Sequence, residues 1–320
     1  MAAARRTSLI VHGREVSLSN LDKVLWPKDG YTKRDLIEYY HSVARWIIPH
    51  LAQRPLSMER YPDGIKGQKF WEKNAPRGVP AWIETKAIPV ASGRRKKIDF
   101  ILCNDEATLL YVANLAAIAL HVWTSRVGSL GTPDYLLIDL DPYFCTLKTL
   151  ARVAIRFRNA VRSLGLEPLV KTTGGKGLHI VVPLVRRYSY EVVRDLARMI
   201  AYHVHQEAPA LTTLEHTIAK RPKGTVYLDW AQIGEGKTVV APFSVRARPK
   251  APVSWPLRWA QVEAMARKRS PETTREMARW TIENVPRLLI RSGDPWAGRG
   301  WKKQRLESAL REAHSSWLKM

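Results

Sequence analysis

The spacing of apolar and polar positions changes along the 320-residue chain. Across residues 33–51, apolar side chains recur at Leu36, Tyr39, Tyr40, Val43, Ile47 and Leu51. That is helical spacing, and Thr32 just ahead of it suits an N-cap, so the pattern predicts an amphipathic helix. Upstream, residues 8–11 and 16–18 read as short strands, followed by the turn Trp26-Pro27-Lys28-Asp29-Gly30. Residues 54–95 are rich in Pro, Gly and charge, with strand-like pieces at 56–61 and 82–88. Residues 105–123 are long and mostly apolar, which predicts a buried helix.

The second half alternates more clearly. Residues 135–139 form an apolar strand, and 147–164 a helix ending at Gly165. Residues 169–172 and 178–184 are strands around a glycine turn, and 190–206 a helix. Residues 225–229 and 237–241 are strands joined through Gly234-Glu235-Gly236. Trp- and Arg-rich helical pieces follow Pro252, then a basic tail at 301–320. Interleaving of this kind predicts an α/β (α+β) fold with a mostly antiparallel sheet flanked by helices.

Composition narrows the function. The 45 % hydrophobic content is that of a globular protein, not a disordered one. Lys and Arg total 52 against 29 Asp and Glu, a net charge of +23, and a polyanion such as nucleic acid is the natural partner. No apolar run approaches the ~20 residues needed to span a membrane. No signal peptide is expected at the start either. Cys103 and Cys145 lie far apart in sequence, which argues against a disulfide scaffold and fits a reducing cytoplasm.

Four motifs carry chemistry. In Leu136-Leu137-Ile138-Asp139-Leu140-Asp141-Pro142, strand periodicity puts Asp139 and Asp141 on one side. Carboxylates that close repel unless a cation lies between them, and hard divalent ions take such oxygen ligands. The plain alternative is a cap on the turn before Pro142. Asp229, in Tyr227-Leu228-Asp229-Trp230, ends another apolar strand, and three carboxylates on neighbouring strand ends can hold two metal ions. Lys171-Thr172-Thr173-Gly174-Gly175-Lys176-Gly177-Leu178-His179 brings glycine N–H groups, the Thr173 hydroxyl, Lys176 and His179 to a phosphate. Its spacing is not that of a P-loop, and a solvated hairpin turn is the alternative. Ser244-Val245-Arg246-Ala247-Arg248, if extended, puts both arginines on one side for triphosphate oxygens; a basic edge strand is the alternative. His203 and His205, two apart on a predicted helix, face different ways and are poor zinc ligands.

Together these motifs resemble the polymerase domain of bacterial ligase D, in the archaeo-eukaryotic primase superfamily. The resemblance runs from about residue 18 to about 296, and includes Leu228-Asp229-Trp230-Ala231-Gln232 and the stretch from Lys237 to Arg248. It implies a primase-polymerase core at about 131–300, an N-terminal DNA-end-binding part at about 1–130, and the tail beyond. It implies that Asp139 and Asp141 ligate both of two Mn²⁺ (or Mg²⁺) ions and Asp229 the catalytic one. Thr173, Lys176, His179, Gln232 and Arg246, with Arg248, would hold the incoming NTP or dNTP. His121 matches a family histidine placed on a long helix of the N-terminal half, near the nucleotide. Lys23 and Lys33 match lysines that bind a 5′-phosphate on the downstream strand, and Phe70-Trp71 residues that stack on template bases. Family members commonly have Ser where Thr173 stands, so the hydroxyl is kept.

The implied activity is a DNA-end-directed polymerase. It adds ribo- or deoxyribonucleotides to a primer 3′-hydroxyl at double-strand ends and gaps during non-homologous end joining, with the end-binding protein Ku as partner. The sequence has no Lys-x-Asp-Gly ligase signature, so sealing falls to a separate DNA ligase, or the chain is an excised domain. Three rivals share some of these features. A stand-alone primase-polymerase would share fold and metals but not need Lys23 and Lys33. A non-catalytic DNA-end-bridging module would not need the carboxylates. A metal-dependent nuclease would not need Lys176, Arg246 and Arg248.

Overall fold

The computed structural model describes residues 6–89, 96–267, 276–297 and 302–317. In chain order it opens with two hairpins, β1 (Arg6–Val11) with β2 (Arg14–Ser19) and β3 (Val24–Trp26) with β4 (Tyr31–Thr32). Then come α1 (Lys33–Leu51), β5 (Leu56–Arg60), β6 (Phe70–Glu72), β7 (Thr85–Pro89), β8 (Lys97–Ile101), α2 (Glu106–Asn114) and β9 (Ala117–Trp123). These are followed by β10 (Tyr135–Tyr143), α3 (Leu147–Ser163), β11 (Leu169–Thr172), β12 (Leu178–Pro183), α4 (Tyr190–Glu207), β13 (Thr212–Thr213) and β14 (Thr225–Asp229). The last are β15 (Thr238–Val240), β16 (Pro256–Leu257), α5 (Trp259–Arg267), α6 (Val285–Ser292) and α7 (Glu307–Trp317).

The chain divides into two units. The first comprises Met1–Val127, Thr238–Ser254 and Trp280–Ser292; the second comprises Gly128–Lys237, Trp255–Arg279 and Gly293–Met320. The chain therefore returns to its first unit twice, taking β15 and the segment 244–248 with it.

In the first unit a sheet runs β15-β9-β5-β6 with antiparallel pairing throughout. Helix α1 starts in a capping box: the Thr32 hydroxyl accepts from Asp35 N, and Asp35 Oδ2 accepts from Thr32 N at 2.6 Å. Its apolar stripe is buried, and Tyr40 donates from its hydroxyl to the carbonyl of Ile118 at 2.8 Å.

The buried helix expected across 105–123 is instead a helix and a strand. Asp105 caps α2 by accepting from Thr108 N at 2.9 Å, and the helix ends at Asn114. Ala116 then takes a left-handed φ of 57°, and the apolar run that follows becomes β9, buried along its whole length between β15 and β5. A strand covered on both faces loses the alternation that would have marked it.

The second unit is built on a sheet ordered β13-β14-β10-β12-β11-β16, antiparallel except for β13 with β14. Helices α3 and α4 pack side by side, with α5 on α3 and α7 on α4. Thr146 and Ser189 cap α3 and α4 by accepting from Thr149 N and Val192 N. The central strand β10 begins as the buried run Tyr135-Leu136-Leu137-Ile138. The expected basic tail starts at Trp301, outside the described residues, but beyond it α7 folds onto this unit. Leu306, Ala309 and Ala313 are buried, and Tyr188 Oη accepts from Leu306 N at 2.8 Å. Small apolar residues at helical spacing make this a packed helix despite its surrounding charge.

Candidate active site

In the second unit the chemistry converges on β10. Asp139 lies opposite Asp229 of β14 on one side and opposite His179 of β12 on the other. Asp141 lies two residues further, opposite Tyr227. The strand period puts Asp139 and Asp141 on the same face, as their spacing predicts. Like charges directly opposite across a ladder destabilise it, so this register is held by the buried apolar runs of β10 and β14 against the repulsion of their carboxylates.

The electrostatics show the strain. Burial, then the neighbouring Asp139, pushes the Asp141 carboxyl up to about 7, with Asp229 adding and Arg221 opposing. Burial and then Asp139 likewise raise Asp229, against Lys237, His216 and a backbone bond from Ala231. Arg221 is fixed by the carbonyls of Glu215 at 3.0 Å and His216 at 3.1 Å. Its guanidinium lies 3.8 Å from the centre of the Tyr227 ring. Lys237 donates to the Ala231 carbonyl at 2.5 Å. Arg221 and Lys237 are site residues that the sequence did not single out.

The glycine turn sits against this strand. Thr173 Oγ1 accepts from Gly175 N at 3.1 Å and Gly177 N at 3.3 Å, and Thr173 N donates to Gly177 O at 3.1 Å. A Cβ on Gly177 would lie 2.5 Å from the Leu140 carbonyl oxygen, so only glycine allows the turn to come this close to β10. Lys176 is exposed at the tip, and His179 is buried with Nε2 3.4 Å from Asp139 Oδ1. Gln232 is half-buried at the end of the short 3-10 turn Trp230–Gln232 that follows Asp229.

Three carboxylates on two paired strands are a hard-oxygen donor set, which fits a divalent cation of the Mg²⁺ or Mn²⁺ kind. Among the described residues no three His, Cys, Asp or Glu side chains already close into a metal cage. The fit rests on donor chemistry and register: burial and then mutual repulsion raise Asp141 and Asp229, and a bound cation would offset both.

The remaining expected residues belong to the first unit. His121 is buried on β9, where a helix had been expected; it lies opposite Ser57 of β5 and Val240 of β15. The Trp71 ring meets it edge-on with centroids 4.8 Å apart, and Glu59 Oε2 lies 3.9 Å from its Nε2. Phe70 and Trp71, successive residues of β6, are 45 % and 49 % exposed, so both keep open ring surface.

Lys33 is buried and donates to the Asn114 carbonyl at 2.9 Å; burial, then Lys23 and Arg60, lowers its ammonium to about 8. Lys23 pairs with Asp63 at 2.6 Å. Arg60 joins this cationic group, bonded to Glu72 and to the Leu115 carbonyl. The sequence had passed over Arg60 and Glu59 as strand residues.

The alternating strand expected at 244–248 is not formed. Val245 makes a single bridge to Val253, after which Arg248 N turns back to the Arg246 carbonyl at 2.8 Å. Arg246 is half-buried and Arg248 exposed, and the tight turn between them removes the argument that alternation aligns their side chains.

A sheet-centred carboxylate trio beside a basic glycine turn, within antiparallel sheets flanked by helices, defines a primase-type, metal-dependent nucleotidyltransferase. Residues 32–296 match the LigD primase-polymerase domain, and the chain belongs to that family. It is 36 % identical over 250 residues to the multifunctional non-homologous end joining protein LigD of Mycolicibacterium smegmatis, covering 77 % of this chain and 32 % of that protein. It is 31 % identical over 261 residues to the bifunctional LigD of Bacillus subtilis, covering 81 % and 41 %. The polymerase domain of Mycobacterium tuberculosis ligase D, solved in complex with DNA, superposes with a TM-score of 0.79 at 32 % identity, covering 87 % of this chain and 96 % of that one. The chain spans about a third of the length of the mycobacterial relatives it matches. Among the described residues no helix is long and apolar enough to cross a membrane.

Proposed function

We propose that this chain adds nucleotides from NTPs or dNTPs to a primer 3′-hydroxyl at broken or gapped DNA ends, filling gaps and processing ends in non-homologous end joining. The observation that carries the reading is the register that sets Asp139 between Asp229 and His179, with Asp141 beside them. Asp139 and Asp141 hold two Mn²⁺ or Mg²⁺ ions, and Asp229 the catalytic one. Such ions, when bound, lower the pKa of an attacking hydroxyl and neutralise charge on the phosphates.

The chain's own groups position the reactants. Lys176 at the tip of the turn brings a point charge to the triphosphate, Thr173 holds the turn closed by accepting from Gly175 N and Gly177 N, and His179 fixes Asp139 by its ring nitrogen. By the family resemblance, Gln232, His121, Arg246 and Arg248 are assigned to the incoming nucleotide. Lys23 and Lys33, with Arg60 beside them, take the 5′-phosphate of the downstream strand, and Phe70 and Trp71 stack on template bases. The 5′-phosphate site favours end repair over de novo priming. The partners are DNA ends and Ku, in the nucleoid of a bacterial or archaeal cytoplasm.

The test is nucleotide addition to a 5′-phosphorylated one-nucleotide gap with Mn²⁺, comparing ribo- with deoxyribonucleotides. Asp139→Ala and Asp141→Ala should each lower the rate by at least about a hundredfold, since several kcal/mol of charge stabilisation are removed. Variants that extend as well as the parent would show the mechanism to be wrong.

A further inference from the structure

Strand β10 does not stop at its aspartates. It continues through Pro142 and Tyr143, and Phe144 follows at once. Phe144 is 75 % exposed and takes a φ of 50°, a left-handed conformation that a bulky side chain adopts only under constraint. The constraint is visible: Tyr143 pairs with Thr225 of β14, and its carbonyl accepts from Gly224 N at 2.9 Å. The Tyr143 ring supports Phe144 edge-on, with centroids 4.8 Å apart. The Lys223 ammonium lies 5.7 Å from the Phe144 ring centre. The segment leading into β14 adds Lys220, Arg221 and Ile218, the last 64 % exposed.

A large apolar ring held outward at a conformational cost, beside an ammonium and a basic segment, is not explained by packing. The combination suits a polyanion with flat apolar faces, which is an unpaired stretch of nucleic acid. At about 3.4 Å per strand residue, Phe144 stands roughly 10 Å along the chain from Asp141. Stacked bases have a similar rise, so that distance is about three nucleotides.

We propose that Phe144, with Lys223, is a stacking platform for an unpaired base of the strand being extended, within a few nucleotides of its 3′ end. The proposal rests on the polymerase reading, which supplies the strand that ends at the aspartates. The platform would let an overhang with no paired template beneath it be held in line for addition.

The test uses the whole chain and fluorescence anisotropy on a duplex with a five-nucleotide 3′ overhang, without triphosphate, alongside a blunt duplex. Phe144→Ala should weaken overhang binding about tenfold, in line with the usual effect of removing one stacking aromatic, and leave blunt binding unchanged. Phe144→Trp should restore it. An abasic site at one position near the 3′ end should bring the parent down to the Phe144→Ala level and leave that variant unaffected.

Equal overhang binding by parent and Phe144→Ala would overturn the proposal, as would an equal loss on blunt ends or a response only to abasic sites in the opposite strand. Primer extension separates the two readings. A parent that binds but extends nothing removes the polymerase reading. A parent that extends, with no Phe144→Ala binding defect, removes the platform alone.

Discussion

Gly177→Ala tests whether the glycine turn is held against the central strand for catalysis. The added Cβ would lie 2.5 Å from the Leu140 carbonyl oxygen and 3.5 Å from Thr173 Cγ2. The first contact is backbone of the strand that carries Asp139 and Asp141, so no side chain can swing away to relieve it. Restoring a tolerable separation requires the turn and the strand to part by about 0.5–0.9 Å, because repulsion rises steeply inside van der Waals contact.

Two effects oppose each other in stability. Replacing glycine by alanine stiffens the unfolded chain and stabilises by about 0.4–1 kcal/mol where the site accepts the methyl. Overpacking costs about 1–3 kcal/mol, so the net is about 0–2.6 kcal/mol of destabilisation and the thermal midpoint should fall by up to roughly 5 °C. Activity should suffer more, since a misplacement approaching 1 Å costs about a hundredfold; kcat for gap filling should fall roughly ten- to a hundredfold. The assay pairs thermal melting with steady-state nucleotide addition. Gly131→Ala, at an exposed position where a Cβ meets nothing within 4 Å, is the control. A Gly177→Ala protein that melts and extends like the parent would refute the close approach.

Three further predictions follow from single environments. The Lys33 ammonium is lowered to about 8, so its charged form is present below that pH and lost above it. Preference for a 5′-phosphorylated over a 5′-hydroxyl gap, read by anisotropy, should therefore decline from pH 7 to 9, and Lys33→Arg should keep it constant; a flat profile in the parent would contradict this. The Trp71 ring rests edge-on against His121, so Trp71→Ala should raise KM for nucleotide as well as weakening template binding, whereas template stacking alone would leave KM unchanged. Tyr188 joins α7 to the second unit through Leu306 N and Glu307, so Tyr188→Phe should cost about 1–2 kcal/mol in thermal unfolding without changing gap filling.

Where the sequence was readable, a local rule applied. Thr32 with Asp35, and the 3–4 spacing down to Leu51, specify α1 without reference to anything distant. Residues 105–123 lacked such a rule. Ala117 to Trp123 are apolar at nearly every position because β9 lies between two strands with both faces covered, and such a run carries neither period. Arg246 and Arg248 failed for a related reason. Alternation was assumed for a segment that pairs only at Val245, and pairing is a property of the partner as much as of the segment.

The carboxylate trio divides along the same line. Asp139 and Asp141 share a face by the period of a single strand, which two letters of sequence suffice to state. That Asp229 faces Asp139 depends on the pairing of β14 with β10, fixed by hydrophobic runs far apart in the chain. A slip of one residue would turn Asp229 to the opposite side of the sheet and leave the pair without its third carboxylate. Arg221 was invisible for the same reason: it reads as one more cation in a chain of charge +23 until β14 brings its loop alongside Asp141. The requirement for a divalent cation thus arises from strand register, because register is what forces two carboxylates to oppose each other beside a third.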